Sequence, residues 1–238
     1  MINLIRSEWV KLRSVRSTLI TLVLAGGLMV LVAVLSARNA NARGDAINLS
    51  GLTGGVTAAV FIFGTLGVQI IGQEYRFNTI RPTFTAVPRR LQVLVAKLIV
   101  ITVAVGVTSA AMVGFCYLIG TTMVDQFIVD GIDHRIMYGI VLFSMIWAAF
   151  GLGIGAIVRQ PIAGILIMVG EAFVAENLIS ALFPKTMKWM PFNNGIQMTL
   201  RVDEMSNMQG MLAGGIYFAA IAAALVAIGM VLANRRDA

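Results

Sequence analysis

The sequence predicts an all-α polytopic membrane protein that crosses a bilayer about six times, with an N-terminal interfacial helix ahead of the first crossing. Three observations predict it. Hydrophobic residues make up 58% of the 238 positions and charged residues only 12%, about half the charge a soluble domain uses to cover its surface. Six runs, at roughly 17–37, 53–73, 98–120, 136–158, 162–183 and 211–233, each reach the 20 or so apolar residues needed to cross about 30 Å of hydrocarbon. The basic residues, finally, fall in the short segments between those runs in an uneven way, so the net charge of +7 is explained by membrane topology and not by a nucleic-acid surface.

Residues 1–16 precede the first run and read as a short helix lying in the headgroup plane. At 100° per residue Ile2, Ile5, Trp9 and Leu12 share an arc of about 80°, flanked by Arg6, Arg13 and Arg16, with Asn3, Ser7 and Lys11 pointing away. Ile5, Trp9, Leu12 and Arg13 are its expected anchors, the arginines snorkelling toward phosphates. The plainer alternative is a basic tail that only sets topology. The first run has a basic start and ends near Ala40-Asn41-Ala42, as a cleaved leader would, but its apolar segment is too long for one and is expected to stay as a helix.

With the N-terminus inside, the inner segments hold Arg6, Lys11, Arg13, Arg16, Arg76, Arg81, Arg89, Arg90, Lys97, Arg159, Arg235 and Arg236. The outer ones hold Arg38, Arg43, Arg135, Lys185, Lys188 and Arg201, offset by Asp45, Asp125, Asp130, Asp133, Asp203 and Glu204. Both termini are therefore expected in the cytoplasm. Gly64 and Gly67 in the second run, Gly151 and Gly155 in the fourth, and Gly210 and Gly214 entering the sixth mark close helix contacts, either within the chain or along a dimer seam. Residues 1–238 are expected to form one transmembrane domain, without repeats or a soluble module.

Between the second and third runs, residues 74–97 read EYRFNTIRPTFTAVPRRLQVLVAK. Pro82 and Pro88 forbid one long helix, so short pieces at the membrane face are expected. Physics alone leaves this segment either topogenic filler or a docking surface. It resembles the second cytoplasmic segment of the membrane subunits of type-2 ABC exporters, the small six-helix permeases common in actinobacteria. Glu74, Thr79, Pro88, Arg89 and Lys97 follow that pattern in order and spacing, and Asn78 stands where the family usually has Gly. The likeness extends more loosely to the N-terminal helix and to Pro191-Phe192. It implies a short cytoplasmic coupling helix seated on a separate ATP-hydrolysing subunit, with Glu74, Arg76, Arg81, Pro88, Arg89 and Arg90 carrying the contact and the N-terminal helix acting as an elbow. It further implies a second permease chain, identical or not, in a bacterial cell membrane, and export of an amphipathic or hydrophobic molecule. The chain itself has no G-x-x-x-x-G-K-[ST] phosphate loop, so ATP and Mg would be bound by the partner and no cofactor by this chain.

The fifth run carries Glu171 and Glu176, the ionisable residues that fall well inside a predicted span. Such a carboxylate costs about 2.5–3.5 kcal/mol at mid-depth, so it normally faces protein or a water-filled route. Five positions put the two about 140° apart on an α-helix, one toward the bundle and the other near the outer mouth, where Asn177, Pro184 and Lys185 suggest that the helix ends. Two readings stand: a polar patch on a substrate route (Glu171, Glu176, Asn177), or a buried structural contact. His134, expected in an outer loop, would need Asp125 or Asp130 to build a metal site, and a solvated histidine accounts for it better. Cys116 is the one cysteine, which excludes an intrachain disulfide. A secondary transporter or channel predicts paired, broken repeats that are not visible. An intramembrane protease lacks H-E-x-x-H or a positioned base, so no catalytic or metal site is expected.

Overall fold

The computed structural model describes residues 1–87, 89–200 and 210–235. Pro88, Arg201, Asp203, Glu204 and Arg236, used above in the loop pattern and the charge balance, lie outside the described residues. The chain is helical almost throughout, because in lipid each backbone N–H and C=O must find its partner within the segment.

Helix α1 (Ile2–Ser14) turns at Val15 into α2 (Arg16–Arg43), which ends on Gly44 in the left-handed conformation. After strand β1 (Ile47–Asn48) and the single turn α3 (Leu49–Leu52) come α4 (Val56–Arg76), α5 (Ile80–Ala86) and α6 (Arg90–Met123). Strand β2 (Phe127–Ile128) pairs in parallel with β1 and precedes α7 (Gly131–Val158). The fifth crossing is composite: α8 (Pro161–Val169), a π-helical turn (Gly170–Ala175) and α9 (Glu176–Leu182). A 3₁₀ turn (Pro184–Trp189), α10 (Pro191–Ile196) and a second 3₁₀ turn (Gln197–Thr199) follow, and α11 (Met211–Arg235) is the last crossing. Six helices or composites are long and apolar enough to span a membrane. Helix α1 and the end of α11 lie at one end of the bundle, the base; the 44–55, 124–130 and 183–200 segments form the other, the crown.

Four of the spans run longer than the apolar windows alone suggested, while the second and fifth keep their expected lengths. Helix α6 has 34 residues, about 51 Å at 1.5 Å per residue. Residues 90–97, expected as loop, are in fact its first two turns. Leucine, valine and lysine there are compatible with helix, and the break falls before them. Pro82 sits in the first turn of α5, where a missing N–H costs nothing. Asn78 has φ +56°, a left-handed value that Asn tolerates better than other non-glycine residues, which explains glycine as the usual occupant. His134 is not in a loop but in the first turns of α7, whose start is fixed by a capping box: Asp130 accepts from the Ile132 and Asp133 N–H groups, and Asp133 accepts from Asp130. Asp130 is thereby committed to the helix end. Among the described residues no cluster of three His, Cys, Asp or Glu side chains could hold a metal.

Helix α7 is the hub, with α4, α6 and α11 packed around it. A Cβ on Gly67 would strike the Ala148 carbonyl, one on Gly151 the Gly64 carbonyl, and one on Gly155 would lie 2.7 Å from Val68 O. The glycines of the second and fourth crossings are thus spent on each other within one chain. A Cβ on Gly214 would meet Asn194, while one on Gly210 would meet nothing within 4 Å among the described residues.

Candidate functional site at the base of the bundle

Four charged side chains meet where α1, α4 and α6 converge. Lys97 Nζ donates to Glu8 Oε2 at 2.7 Å and to Glu74 Oε1 at 2.7 Å. Lys11 Nζ reaches Glu8 Oε1 at 2.7 Å and the same Glu74 oxygen at 3.1 Å. The side chains of Lys97 and Glu8 are each 1% exposed, Glu74 14% and Lys11 43%. Two positive and two negative charges cancel, which is the condition for burying them at all. Burial works against the charged form of Lys11, but its hydrogen bond to Glu8 and the field of Glu74 outweigh that and raise its pKa above the usual lysine value.

This arrangement corrects the reading of α1. Lys11 does not point away; Leu4, Ile5, Glu8, Lys11 and Leu12 make the face turned to the protein, while Ile2 is 81% and Trp9 37% exposed. The packed arc is rotated by about 80° from the hydrophobic one, because two ion-pairing partners on other helices, Glu74 and Lys97, outweigh an aromatic that is equally at home among headgroups. Trp9, Arg6, Arg13 and Arg16 remain on the outer side. Glu8 and Lys11 escaped notice as site residues although an i, i+3 Glu–Lys pair was legible; what could not be read was the partner 89 positions away.

Helix α5 hangs from this cluster. Ile80 and Phe84 bury against Val93 of α6, with Leu4 of α1 and Tyr75 alongside, and Thr79 Oγ1 donates to the Glu74 carbonyl at 3.4 Å. Arg76, Arg81 and Arg89 are exposed, and so is Phe77 at 65%, with the Arg76 guanidinium 5.4 Å from its ring. Arg90 turns inward instead: it donates to Ala233 O at 2.9 Å and lies 5.1 Å from the Phe84 ring. Arg159, left-handed at φ +60° at the end of α7, donates to Leu232 O at 3.2 Å and stacks 4.7 Å over Tyr75. The two guanidiniums complement the C-terminal end of the α11 dipole.

At the crown the acid pair is arranged otherwise than an α-helix would allow. The π turn closes with the Glu176 N–H on Glu171 O, an i→i+5 bond, and so returns position 176 to the side of 171. The Glu171 carboxyl lies against that of Glu176. The expectation that the two diverge by about 140° fails because it assumed an unbroken α-helix. Glu176, 1% exposed, accepts from the Phe192 N–H at 2.6 Å and the Asn193 N–H at 2.9 Å, pinning the start of α10. Phe192 thereby enters an aromatic cluster with Phe61, Phe143 and Trp147, ring centroids 4.9–5.7 Å away. Asn177 donates to Phe173 O at 2.9 Å and Ala172 O at 3.3 Å, satisfying carbonyls in the π turn. The helix ends at Leu182, as Pro184 and Lys185 suggested.

The sequence profile described as ABC-2 family transporter protein matches residues 4–175. The chain belongs to the ABC-2 transporter family. It is the membrane-spanning, permease type of subunit, and the match contains all four residues of the base cluster and α5, ending with the last residue of the π turn of the fifth crossing. The pairing of Glu74 with Lys97, which mark the two ends of the segment that carried the resemblance, gives this permease a physical reason for that spacing. No curated protein matches the chain.

Proposed function

We propose that this permease forms the translocation pathway of an ABC exporter, carrying an amphipathic or hydrophobic molecule outward while a separate ATPase subunit, with its ATP and Mg, drives the movement. The base faces the cytoplasm of a bacterial cell, where it meets that partner, and two six-helix chains, identical or related, complete the transporter. The chain performs no bond chemistry of its own. The observation that carries this reading is the seating of α5: with Arg81 on it and Arg76, Phe77 and Arg89 exposed beside it, this helix packs through Ile80 and Phe84 on Val93 of α6, Leu4 of α1 and Tyr75 of α4, the same three helices that Glu8, Glu74 and Lys97 tie together. A push on α5 is thus delivered to three helices at once. Exposed arginines around an aromatic suit an acidic, apolar-floored groove on the partner.

The test is co-purification of an ATP-binding-cassette subunit with the full chain, and transport into inverted vesicles. ATP-dependent transport that is lost in Arg81→Glu/Arg89→Glu, with the chain still folded, is the expected result. Solute movement by the chain alone, driven by a proton gradient, would replace this reading with a secondary transporter.

A further inference from the structure

A cavity of about 340 Å³ opens at the base between the α1–α2 corner, the last turns of α4, α5 and the start of α6. Leu66, Ile70 and Ile101 form an apolar wall; Gln69, Gln73 and Glu74 form a polar one. Its charges are unevenly used. Glu74 Oε1 receives both lysine ammoniums, while Glu74 Oε2 is buried and has no donor among the described residues. Gln73 spends an N–H on Gln69 Oε1 at 3.2 Å, which leaves its own carbonyl oxygen as an acceptor. A buried acceptor such as Glu74 Oε2 calls for a donor. An anion would find Lys97 and Lys11 both already claimed by the same two carboxylates, whereas an ammonium drawn up to Glu74 would supply the donor that its buried Oε2 lacks. The cavity lies beside α1, whose exposed Trp9 and arginines suit a headgroup layer, and its apolar wall runs along α4 and α6 toward the middle of the bundle.

We propose that this cavity binds the primary ammonium head of an amphiphile, with Glu74 as counter-ion and Leu66, Ile70 and Ile101 along its apolar part. The inference rests on the transport reading only for the fate of the ligand, as a solute taken from the inner leaflet; binding itself needs neither partner nor nucleotide.

The full chain in phosphatidylcholine nanodiscs is titrated with a dansyl-labelled long-chain primary amine and with its N-acetylated, uncharged counterpart, followed by fluorescence anisotropy. Saturable binding of the amine, at least ten-fold tighter than the acetylated probe, is expected. Glu74→Gln should abolish that preference. Ile70→Trp, which fills the cavity and leaves the four charges in place, should weaken the amine at least ten-fold and keeps the test decisive should Glu74→Gln fail to fold. Replacing part of the phosphatidylcholine with phosphatidylethanolamine separates the sources: competition identifies a lipid headgroup as occupant, and its absence a free amphiphile, either supporting ammonium recognition. Equal binding of the two probes, no saturable binding, or full binding by folded Ile70→Trp would overturn the proposal. Those outcomes would leave the co-purification and vesicle results untouched, so failure here is distinguishable from failure of the transport reading.

Discussion

At the base, Glu8 and Glu74 are held by the ammoniums of Lys11 and Lys97, whereas at the crown Glu176 is held by two backbone N–H groups and faces a second carboxyl. The base network joins residues up to 89 positions apart and three separate helices; the Glu176 contacts span 16 and 17 positions and fix one local turn. A network of full charges is all-or-none, since deleting one member strands another in low dielectric. Backbone donors are weaker partners and leave a neutral orphan when the acceptor goes. The base is therefore suited to passing a displacement between helices, and the crown to holding a short segment against the aromatic cluster.

Breaking the base should give the largest effect. Lys97→Met leaves Glu8 and Glu74 facing each other across Lys11 alone, and is expected to cost about 3–5 kcal/mol, read as a large fall in thermal midpoint in detergent. Adding Glu8→Gln should recover part of the loss. A midpoint unchanged by Lys97→Met would show that the network does not hold α1 to α6.

The crown should yield less. Glu176→Ala strands the Phe192 and Asn193 N–H groups, for about 1–3 kcal/mol, and Glu176→Gln, which keeps one carbonyl oxygen, should cost less than Ala. A larger penalty for Gln would mean that the side chain serves something besides the α10 backbone. Beside it, Glu171→Gln should leave the fold intact, because Glu171 Oε2 has no donor among the described residues, and should weaken ATP-driven transport in the proposed assembly with an ATPase subunit. Unaltered transport with normal ATPase stimulation would remove Glu171 from the substrate route and leave the acid pair a structural contact.

How much of this was legible depended on the range of the interaction. Spans were readable because lipid imposes a one-dimensional test, a long apolar run, and four glycines announced the α4–α7 contact because backbones can meet only where side chains are missing. The π turn was not: nothing in Gly170–Ala175 differs in composition from an ordinary helix, and one inserted position changes which face every later residue occupies. The base cluster was half legible. Glu74 and Lys97 stood out through a family pattern, but Glu8, the one acid among residues 1–16, was passed over, and Trp9 drew the predicted face toward itself. A hydrophobic arc finds the lipid side of an interfacial helix as readily as the protein side, and only the position of distant charges separates the two.

Lys11 sharpens the contrast from its weak edge, being the one member of the base network with substantial exposure, at 43%. Solvent screening limits it to about 0.2–1 kcal/mol, so Lys11→Met should lower the midpoint only slightly where Lys97→Met lowers it greatly. The sign of its pH dependence follows from the raised pKa. A lysine whose folded value lies above the unfolded one, about 10.4, contributes its full stability below that unfolded value and loses it as pH rises through the folded one. The difference in midpoint between wild type and Lys11→Met should accordingly be constant from pH 7 to 9 and shrink above about pH 10.5. If the difference instead grew with pH, Lys11 would be better held when neutral, and the base would have to be redrawn as three charges around Lys97 with Lys11 outside them.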